Sequence, residues 1–140
     1  MSDRLLLDTV YVEALLSPRD QHHEKALELF PKVEAAAMVF ITEAVLLEIG
    51  NGSAGVNARQ EAAKFIDGCY ERTDPNFTVV PLDSQLIRRS LDLFSRSSDK
   101  TWSLTDCISF VVMEENQIEQ AVTTDKHFVQ KGFRALMRED

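Results

Sequence analysis

The sequence predicts an α/β fold in which helices alternate with the strands of a mostly parallel sheet. Short apolar segments recur along the chain, and most are followed by a segment whose apolar residues are spaced as on one face of a helix. Two of the apolar segments end in an aspartate. Alternating strands and helices are typical of parallel sheets that are covered by helices.

The first strand-helix-strand unit is predicted within the N-terminal third of the chain. Arg4–Asp8 (RLLLD) is an apolar run of the kind that forms a strand buried on both faces. Apolar residues at helical spacing then predict helices over Thr9–Leu16 and Asp20–Val33. Met38–Thr42 (MVFIT) predicts the second strand because it is short, apolar and rich in β-branched residues.

The same alternation continues after the second strand. Thr42 is a favourable N-cap for a helix over Glu43–Gly50. The polar, glycine-rich segment Asn51–Gly55 predicts a loop, which is followed by a helix over Val56–Cys69. Phe77–Leu82 (FTVVPL) predicts the third strand.

The C-terminal half repeats the pattern. Asp83–Ser95 predicts a helix, Arg96–Thr101 (RSSDKT) a polar loop, and the apolar spacing from Leu104 to Val112 another helix. The remaining elements are predicted as a fourth strand, a short helix and a fifth strand, at Ala121–Asp125, Lys126–Lys131 and Phe133–Leu136.

Size and composition predict one globular, cytoplasmic domain over residues 1–140. The chain is 44% apolar and 27% charged, as is ordinary for a globular protein with a single core. No apolar run approaches the roughly 20 residues that span a bilayer, so no membrane association is expected. Cys69 and Cys107 are predicted to be reduced, packed thiols.

The formal net charge of −8 opposes binding to phosphate. Bound divalent cations would offset that charge and grip phosphate themselves. The acidity also favours a basic protein as partner.

Four carboxylates are predicted to face one crevice. Asp8 and Asp125 end strands, Glu48 lies about one helical turn beyond the second strand, and Asp106 is in the first turn of a helix. Parallel α/β sheets bind ligands outside the carboxyl ends of their strands. Several carboxylate oxygens around one point suit Mg²⁺ or Mn²⁺, which could activate water to hydrolyse a phosphodiester bond.

Each of these carboxylates also has a purely structural interpretation. Asp8 and Asp125 occupy N-cap positions, and Ser103–Asp106 (SLTD) matches a capping box. Glu48 shares a helix face with Ala44 and Leu47, so we expect it to point partly inward, where an ion pair with Arg or Lys is the alternative to metal binding.

Other polar residues have weaker claims to a role. Hydrogen bonds to the carboxylates or their waters could come from the nearby hydroxyls of Thr9, Ser103 and Thr105. A surface location is expected for His22, His23 and His127, although His127 is closer to Asp125 and could reach a phosphate. A modest basic cluster, which either touches RNA backbone or is simply a solvated helix end, is formed by Arg88, Arg89, Arg96 and Lys100.

Four segments of the chain resemble PIN-domain proteins, in particular the VapC-type toxin ribonucleases of prokaryotic toxin-antitoxin systems. They read LLLDTVYVEALL, ITEAVLLEIGN, DKTWSLTDCISFVVMEE and VTTDKHFVQKGF. The resemblance implies an α/β/α sandwich with a five-stranded parallel sheet, usually in a homodimer. It places the family's acidic ligands at Asp8, Glu48, Asp106 and Asp125.

The resemblance also implies an activity and partners. Such proteins cleave RNA with Mg²⁺ or Mn²⁺, and an antitoxin inhibits them by inserting its C-terminal segment into the acidic groove. Asp99 lies in a segment that resembles the subfamily, so it is either an accessory site residue or an exposed loop acid. A PIN-fold module that binds protein or RNA without cleavage is the non-enzymatic alternative. A haloacid-dehalogenase-like phosphatase is disfavoured because Val10 stands where that family needs a second aspartate.

Overall fold

The computed structural model describes residues 3–140, which form a five-stranded, fully parallel sheet with helices on both faces. The strands are β1 (Arg4–Leu7), β2 (Met38–Thr42), β3 (Phe77–Val80), β4 (Gln120–Val122) and β5 (Arg134–Ala135). The helices are α1 (Thr9–Leu16), α2 (His23–Ala35), α3 (Glu43–Gly52), α4 (Val56–Glu71), α5 (Ser84–Arg96), α6 (Leu104–Glu115) and α7 (Lys126–Lys131). The predicted α/β/α sandwich is confirmed.

Strand β1 lies at the centre of the sheet, whose order is β3-β2-β1-β4-β5. The chain runs outward from β1 through β2 to β3, and then crosses to β4 and β5 on the other side of β1. The connections that leave β1 and β4 therefore diverge, and such a switch point opens a crevice at the carboxyl ends of the strands.

Each face of the sheet has its own hydrophobic core, because successive side chains of a strand point to opposite faces. Leu5 and Leu7 pack with residues of α1 to α4, whereas Leu6 packs with residues of α5, α6 and α7. Phe110 of α6 is fully buried in the second core. Its ring lies 5.0 Å from those of Trp102 and Phe128, in T-shaped geometry.

The predicted elements are all present, but several boundaries differ. Helix α3 extends to Gly52, so only residues 53–55 form the break that was predicted over Asn51–Gly55. Strand β4 ends at Val122 rather than Asp125, because Thr123 turns the chain by accepting a hydrogen bond from the Asp125 backbone N–H at 3.1 Å. The boundary errors reflect hydrogen bonds that sequence periodicity does not encode.

Several side-chain predictions can also be checked. Cys69 and Cys107 are buried free thiols, as predicted. His22 and His23 are both partly exposed, and His23 Nδ1 lies 2.7 Å from the Ala14 carbonyl oxygen. In the part of the chain that the structure describes, none of the helices has the length and apolar character needed to cross a bilayer.

Candidate metal centre

The predicted acidic residues come together above the central strand of the sheet. Asp8 follows β1 directly, and Asp125 stands three residues after the end of the neighbouring strand β4. Asp106 lies in the first turn of α6. Parallel pairing of β1 with β4 brings the first two carboxylates to the same edge of the sheet.

Asp8 is a partly buried carboxylate at the start of α1. Its backbone occupies the N-cap position of α1, but its side chain makes no capping hydrogen bond, so the capping interpretation is wrong. The Asp8 Oδ2 atom instead accepts a hydrogen bond from the Thr123 hydroxyl at 2.7 Å. Since the same hydroxyl accepts from the Asp125 backbone N–H, fully buried Thr123 ties Asp8 to Asp125.

The electrostatic environment of Asp8 disfavours its charged form. Burial raises the pKa of the Asp8 carboxyl from its ordinary value of 3.8 to about 6, although the hydrogen bond from Thr123 opposes the rise. The negative charges of Glu48 and Asp106 raise this pKa further, which also shows that the three carboxylates are neighbours. A divalent cation between them would remove the repulsion.

Glu48 reaches the same region from α3, but not in the predicted orientation. It is exposed, and Leu47 beside it is 60% exposed, because the buried face of α3 is formed by Ala44, Val45 and Ile49. Among residues 3–140 no Arg or Lys forms an ion pair with Glu48, so the predicted alternative is wrong as well.

Thr9 orients Glu48. The Thr9 hydroxyl donates to Glu48 Oε1 at 2.6 Å, as was predicted for a hydroxyl next to the carboxylates. The hydrogen bond joins the first turn of α1, next to Asp8, to the second turn of α3. It therefore holds a flexible glutamate side chain near the other acids.

Asp106 and Asp125 do cap helices, and their caps leave them in the crevice. Ser103 and Asp106 form the predicted capping box, in which Ser103 N donates to Asp106 Oδ2 at 3.0 Å. Asp125 caps α7 by accepting from the His127 backbone N–H at 2.8 Å. A carboxylate oxygen has two lone pairs, so an oxygen that caps can also bind a cation. Capping and metal binding are therefore compatible here.

His127 belongs to the site, contrary to its predicted surface location. Its side chain is only 19% exposed, and its Nδ1 lies 2.9 Å from Asp106 Oδ2 and 3.3 Å from Asp125 Oδ1. The three ligand atoms of these residues all lie within 4.8 Å of one another. The one sequence signal for this residue was its position two places after Asp125, where a helix start turns it back toward that carboxylate.

The other accessory residues are less involved. Ser103 acts as a helix cap, and no hydrogen bond of the Thr105 hydroxyl occurs within residues 3–140. The Asp99 side chain is 74% exposed and pairs with Lys100 at 2.6 Å, which agrees with an exposed loop acid. Thr101, which was not predicted, has its hydroxyl 3.2 Å from His127 Nε2.

The predicted basic cluster is largely neutralised. Arg89 forms two hydrogen bonds to Glu115, and Arg96 pairs with Asp92 at 3.0 Å. Lys100 pairs with Asp99. These cations are therefore engaged by acids rather than arranged as a phosphate-binding surface.

The fold and the site together define a class of protein: a parallel α/β/α sandwich with carboxylates gathered at a switch point of its sheet. Carboxylate oxygens with an imidazole nitrogen form a donor set that suits Mg²⁺, Mn²⁺ or a similar divalent ion. Three of the hydrogen bonds at the carboxylates come from neutral hydroxyls and a backbone N–H group, which orient the carboxylates without adding a positive charge.

Comparison with known proteins identifies the family. The PIN domain model matches residues 5–134, so the chain belongs to the PIN domain family. No curated protein matches the sequence.

Solved structures share the fold. VapC20 of Mycobacterium tuberculosis, described as a sarcin-ricin loop cleaving toxin, is 24% identical with a TM-score of 0.76, over 92% of this chain and 95% of that chain. FitAcB of Neisseria gonorrhoeae is 16% identical with a TM-score of 0.62, over 94% of both chains. The DNA-bound VapBC of Salmonella typhimurium is 14% identical with a TM-score of 0.61, over 95% of this chain and 96% of that chain.

Proposed function

We propose that this PIN-domain protein is an endoribonuclease that uses Mg²⁺ or Mn²⁺ bound at Asp8, Glu48, Asp106 and Asp125. The main support is the gathering of these carboxylates at one edge of the sheet, where the pKa of Asp8 is raised by burial and by its acidic neighbours. Within residues 3–140 none of these four acids pairs with an Arg or Lys, and such a cluster is costly to hold together unless a cation is bound. In this proposal residues 1–140 act as a single domain.

The chain's own residues would prepare the site for the reaction. Thr123 holds Asp8, Thr9 holds Glu48, and the cap of α6 holds Asp106, so three carboxylates are oriented before any ligand binds. A bound divalent ion lowers the pKa of a coordinated water and stabilises charge on the leaving oxygen. The acidic surface would repel phosphate in the absence of cations, so cleavage should depend strictly on them.

The decisive test is metal-dependent cleavage of RNA. Purified protein with Mn²⁺ should cut single-stranded or structured RNA, for instance an oligonucleotide with the sarcin-ricin loop sequence, and EDTA should stop the reaction. Asp106→Asn should lower the rate at least about 100-fold, as loss of a key electrostatic group typically does. Glu114→Gln is the matched control, because it removes an exposed carboxylate from the same helix.

Two outcomes would contradict the proposal. If Asp106→Asn cleaved as fast as the wild type, the acidic site would not be the active site. If the wild type bound RNA but left it intact with both metals, the alternative of a binding module without cleavage activity would stand.

A toxin role with an antitoxin partner is the second part of the proposal. It is supported by the resemblance to VapC-type toxins, by the fold shared with VapC20 and VapBC, and by the net charge of −8, which suits a basic inhibitory segment. Expression of the wild type should arrest bacterial growth, whereas Asp8→Ala should not. Coexpression of the small protein encoded next to the gene should restore growth. Equal growth of the strains that express the wild type and Asp8→Ala, in the absence of the small protein, would contradict a toxin role.

We also propose a homodimer, and the exposed side of α5 is a surface that a second copy could cover. Ile87, Leu91 and Phe94 are 37%, 49% and 42% exposed and recur at helical spacing on this one helix. Light scattering should show a dimer for the wild type and a monomer for Leu91→Glu. Leu47→Glu, on a different helix, is the control that should remain dimeric. A monomeric wild type would contradict the proposal.

A further inference from the structure

The imidazole of His127 is held against two of the proposed metal ligands. Its side chain is 19% exposed, while those of Asp106 and Asp125 are 15% and 32% exposed, so the group is largely shielded from water. The Nδ1 atom faces both carboxylates, 2.9 Å from Asp106 Oδ2 and 3.3 Å from Asp125 Oδ1. The ring therefore turns toward the crevice rather than toward solvent.

These distances match one side of an octahedral coordination sphere. Adjacent ligands of an octahedral ion with bonds of about 2.1 Å are separated by about 3.0 Å. The two separations from Nδ1 are close to that value. Both carboxylate oxygens are also anchored, since each accepts a backbone N–H, from Ser103 and from His127 itself. A divalent ion could bind between the three atoms without large movement of their side chains.

The other ring nitrogen has the partner that a metal-bound histidine needs. His127 Nε2 lies 3.2 Å from the Thr101 hydroxyl oxygen, which can accept the Nε2–H. In the tautomer with its proton on Nε2, the imidazole offers its Nδ1 lone pair to a cation in the crevice, whereas in the other tautomer Nδ1–H donates to Asp106 Oδ2. Histidines that bind metals usually donate their second N–H to an oxygen in this way, which fixes the ring.

We infer that His127 is a nitrogen ligand of the cation, through Nδ1, and that it biases the site toward Mn²⁺ and similar transition ions over Mg²⁺. Imidazole is a good ligand for transition ions, whereas Mg²⁺ prefers oxygen ligands and water. The inference rests on the metal site proposed above, but not on RNA being the substrate. A neutral imidazole at His127 would add a nitrogen donor to a set of acids. It would therefore change which metal is preferred without changing the net charge of the ligands.

The direct test is pulsed electron paramagnetic resonance of the full chain loaded with Mn²⁺. The wild type should show coupling between Mn²⁺ and a histidine ¹⁴N nucleus, and labelling histidine with ¹⁵N should change that signal. The coupling should vanish in His127→Ala and persist in His22→Ala, the matched control. Because the wild-type spectrum is informative alone, the test does not depend on the folding of any variant.

Metal affinities provide the second measurement. Calorimetric titration should show that His127→Ala weakens Mn²⁺ binding by about 10–100-fold, the loss expected when an important group of a metal site is removed. Binding of Mg²⁺ should change by less than about threefold, since Mg²⁺ replaces a lost nitrogen with water readily. His127→Asn tests a positioning role, because its amide can still donate to Asp106 but offers no imidazole lone pair.

The outcomes separate this inference from the proposed function. If wild-type protein binds Mn²⁺ without histidine coupling, or if His127→Asn restores Mn²⁺ affinity, His127 only positions Asp106 and the inference is wrong, while the metal site stands. If the wild type binds neither metal, the proposed metal site fails and the inference fails with it.

Discussion

Replacement of Asp8 by Asn should stabilise the protein in the absence of metal. Asn has the same shape as Asp, and its carbonyl oxygen can still accept the hydrogen bond that Thr123 donates to Asp8 Oδ2 at 2.7 Å. The pKa of Asp8 rises from 3.8 to about 6 on folding, mainly through burial. At about 1.4 kcal/mol for each pKa unit, the ionised carboxylate costs the folded state about 3 kcal/mol.

The sign of this effect sets the pH at which it appears. A carboxyl whose pKa is raised by folding lowers stability only where it is ionised, so the loss is small below about pH 4 and complete above about pH 6. Asp8→Asn should therefore gain about 3 kcal/mol at pH 7.5 and less than about 1 kcal/mol at pH 4. For a chain of 140 residues the gain at pH 7.5 corresponds to a rise in Tm of roughly 10 °C.

Urea denaturation in EDTA at pH 4 and pH 7.5 measures both values. Glu61→Gln is the control, because this exposed carboxylate of α4 is not among the groups that raise the pKa of Asp8 and should change the free energy of unfolding by less than about 0.5 kcal/mol. With Mn²⁺ at 1,000 times its Kd the order should reverse, since ligand at that concentration stabilises the wild type by about 4.1 kcal/mol, which exceeds the advantage of about 3 kcal/mol that a poorly binding variant starts with. An Asp8→Asn protein no more stable than the wild type at pH 7.5 in EDTA would refute the electrostatic reasoning.

Three further predictions concern the framework that holds the site. Thr42→Ala should lower the free energy of unfolding by about 1–2 kcal/mol, because the hydroxyl of buried Thr42 accepts a hydrogen bond from the Val45 N–H at the start of α3. Urea denaturation measures the loss, and Thr42→Ser should retain most of the stability. Phe110→Ala should cost about 3–5 kcal/mol, because it empties the middle of the aromatic cluster; calorimetry would contradict this if the Tm were unchanged. Gly132→Ala should cost about 1 kcal/mol in chemical denaturation, since Gly132 ends α7 at φ 106°, where alanine is strained and Asn should be tolerated better.

Much of the fold was predictable because its elements carry strong local patterns. The RLLLD and MVFIT segments are apolar on both faces, as central parallel strands must be, and they became β1 and β2. Weakly patterned ends were less predictable: Phe133–Leu136 contains a strand of only two residues, and its last residue begins a 3-10 turn. Helix α5 was predicted from its apolar spacing, but its apolar face around Leu91 is exposed. Spacing predicts that such a face exists and does not reveal what covers it.

The candidate site was also predictable in part: the sequence indicated where most of its acids lie, but not every side-chain direction or contact. The positions of Asp8, Asp106 and Asp125 followed from where strands end and helices begin, which are features of local sequence. The direction of Glu48 was wrong, because one helical position decides between the core and the solvent. The part played by His127 was missed, because a histidine two residues after an aspartate is common in surface helix starts.

Local pattern alone was enough to define an α/β chain with acids at the ends of its strands, because strand and helix periodicity and capping preferences act over a few residues. Packing of the whole chain settled the rest. Thr9 and Glu48 are 39 residues apart, and Asp8 and Thr123 are 115 apart, so their hydrogen bonds exist only because β1, α3 and β4 meet at the centre of the molecule. The raised pKa of Asp8 and the placement of His127 arise from the same long-range contacts, which no stretch of sequence contains.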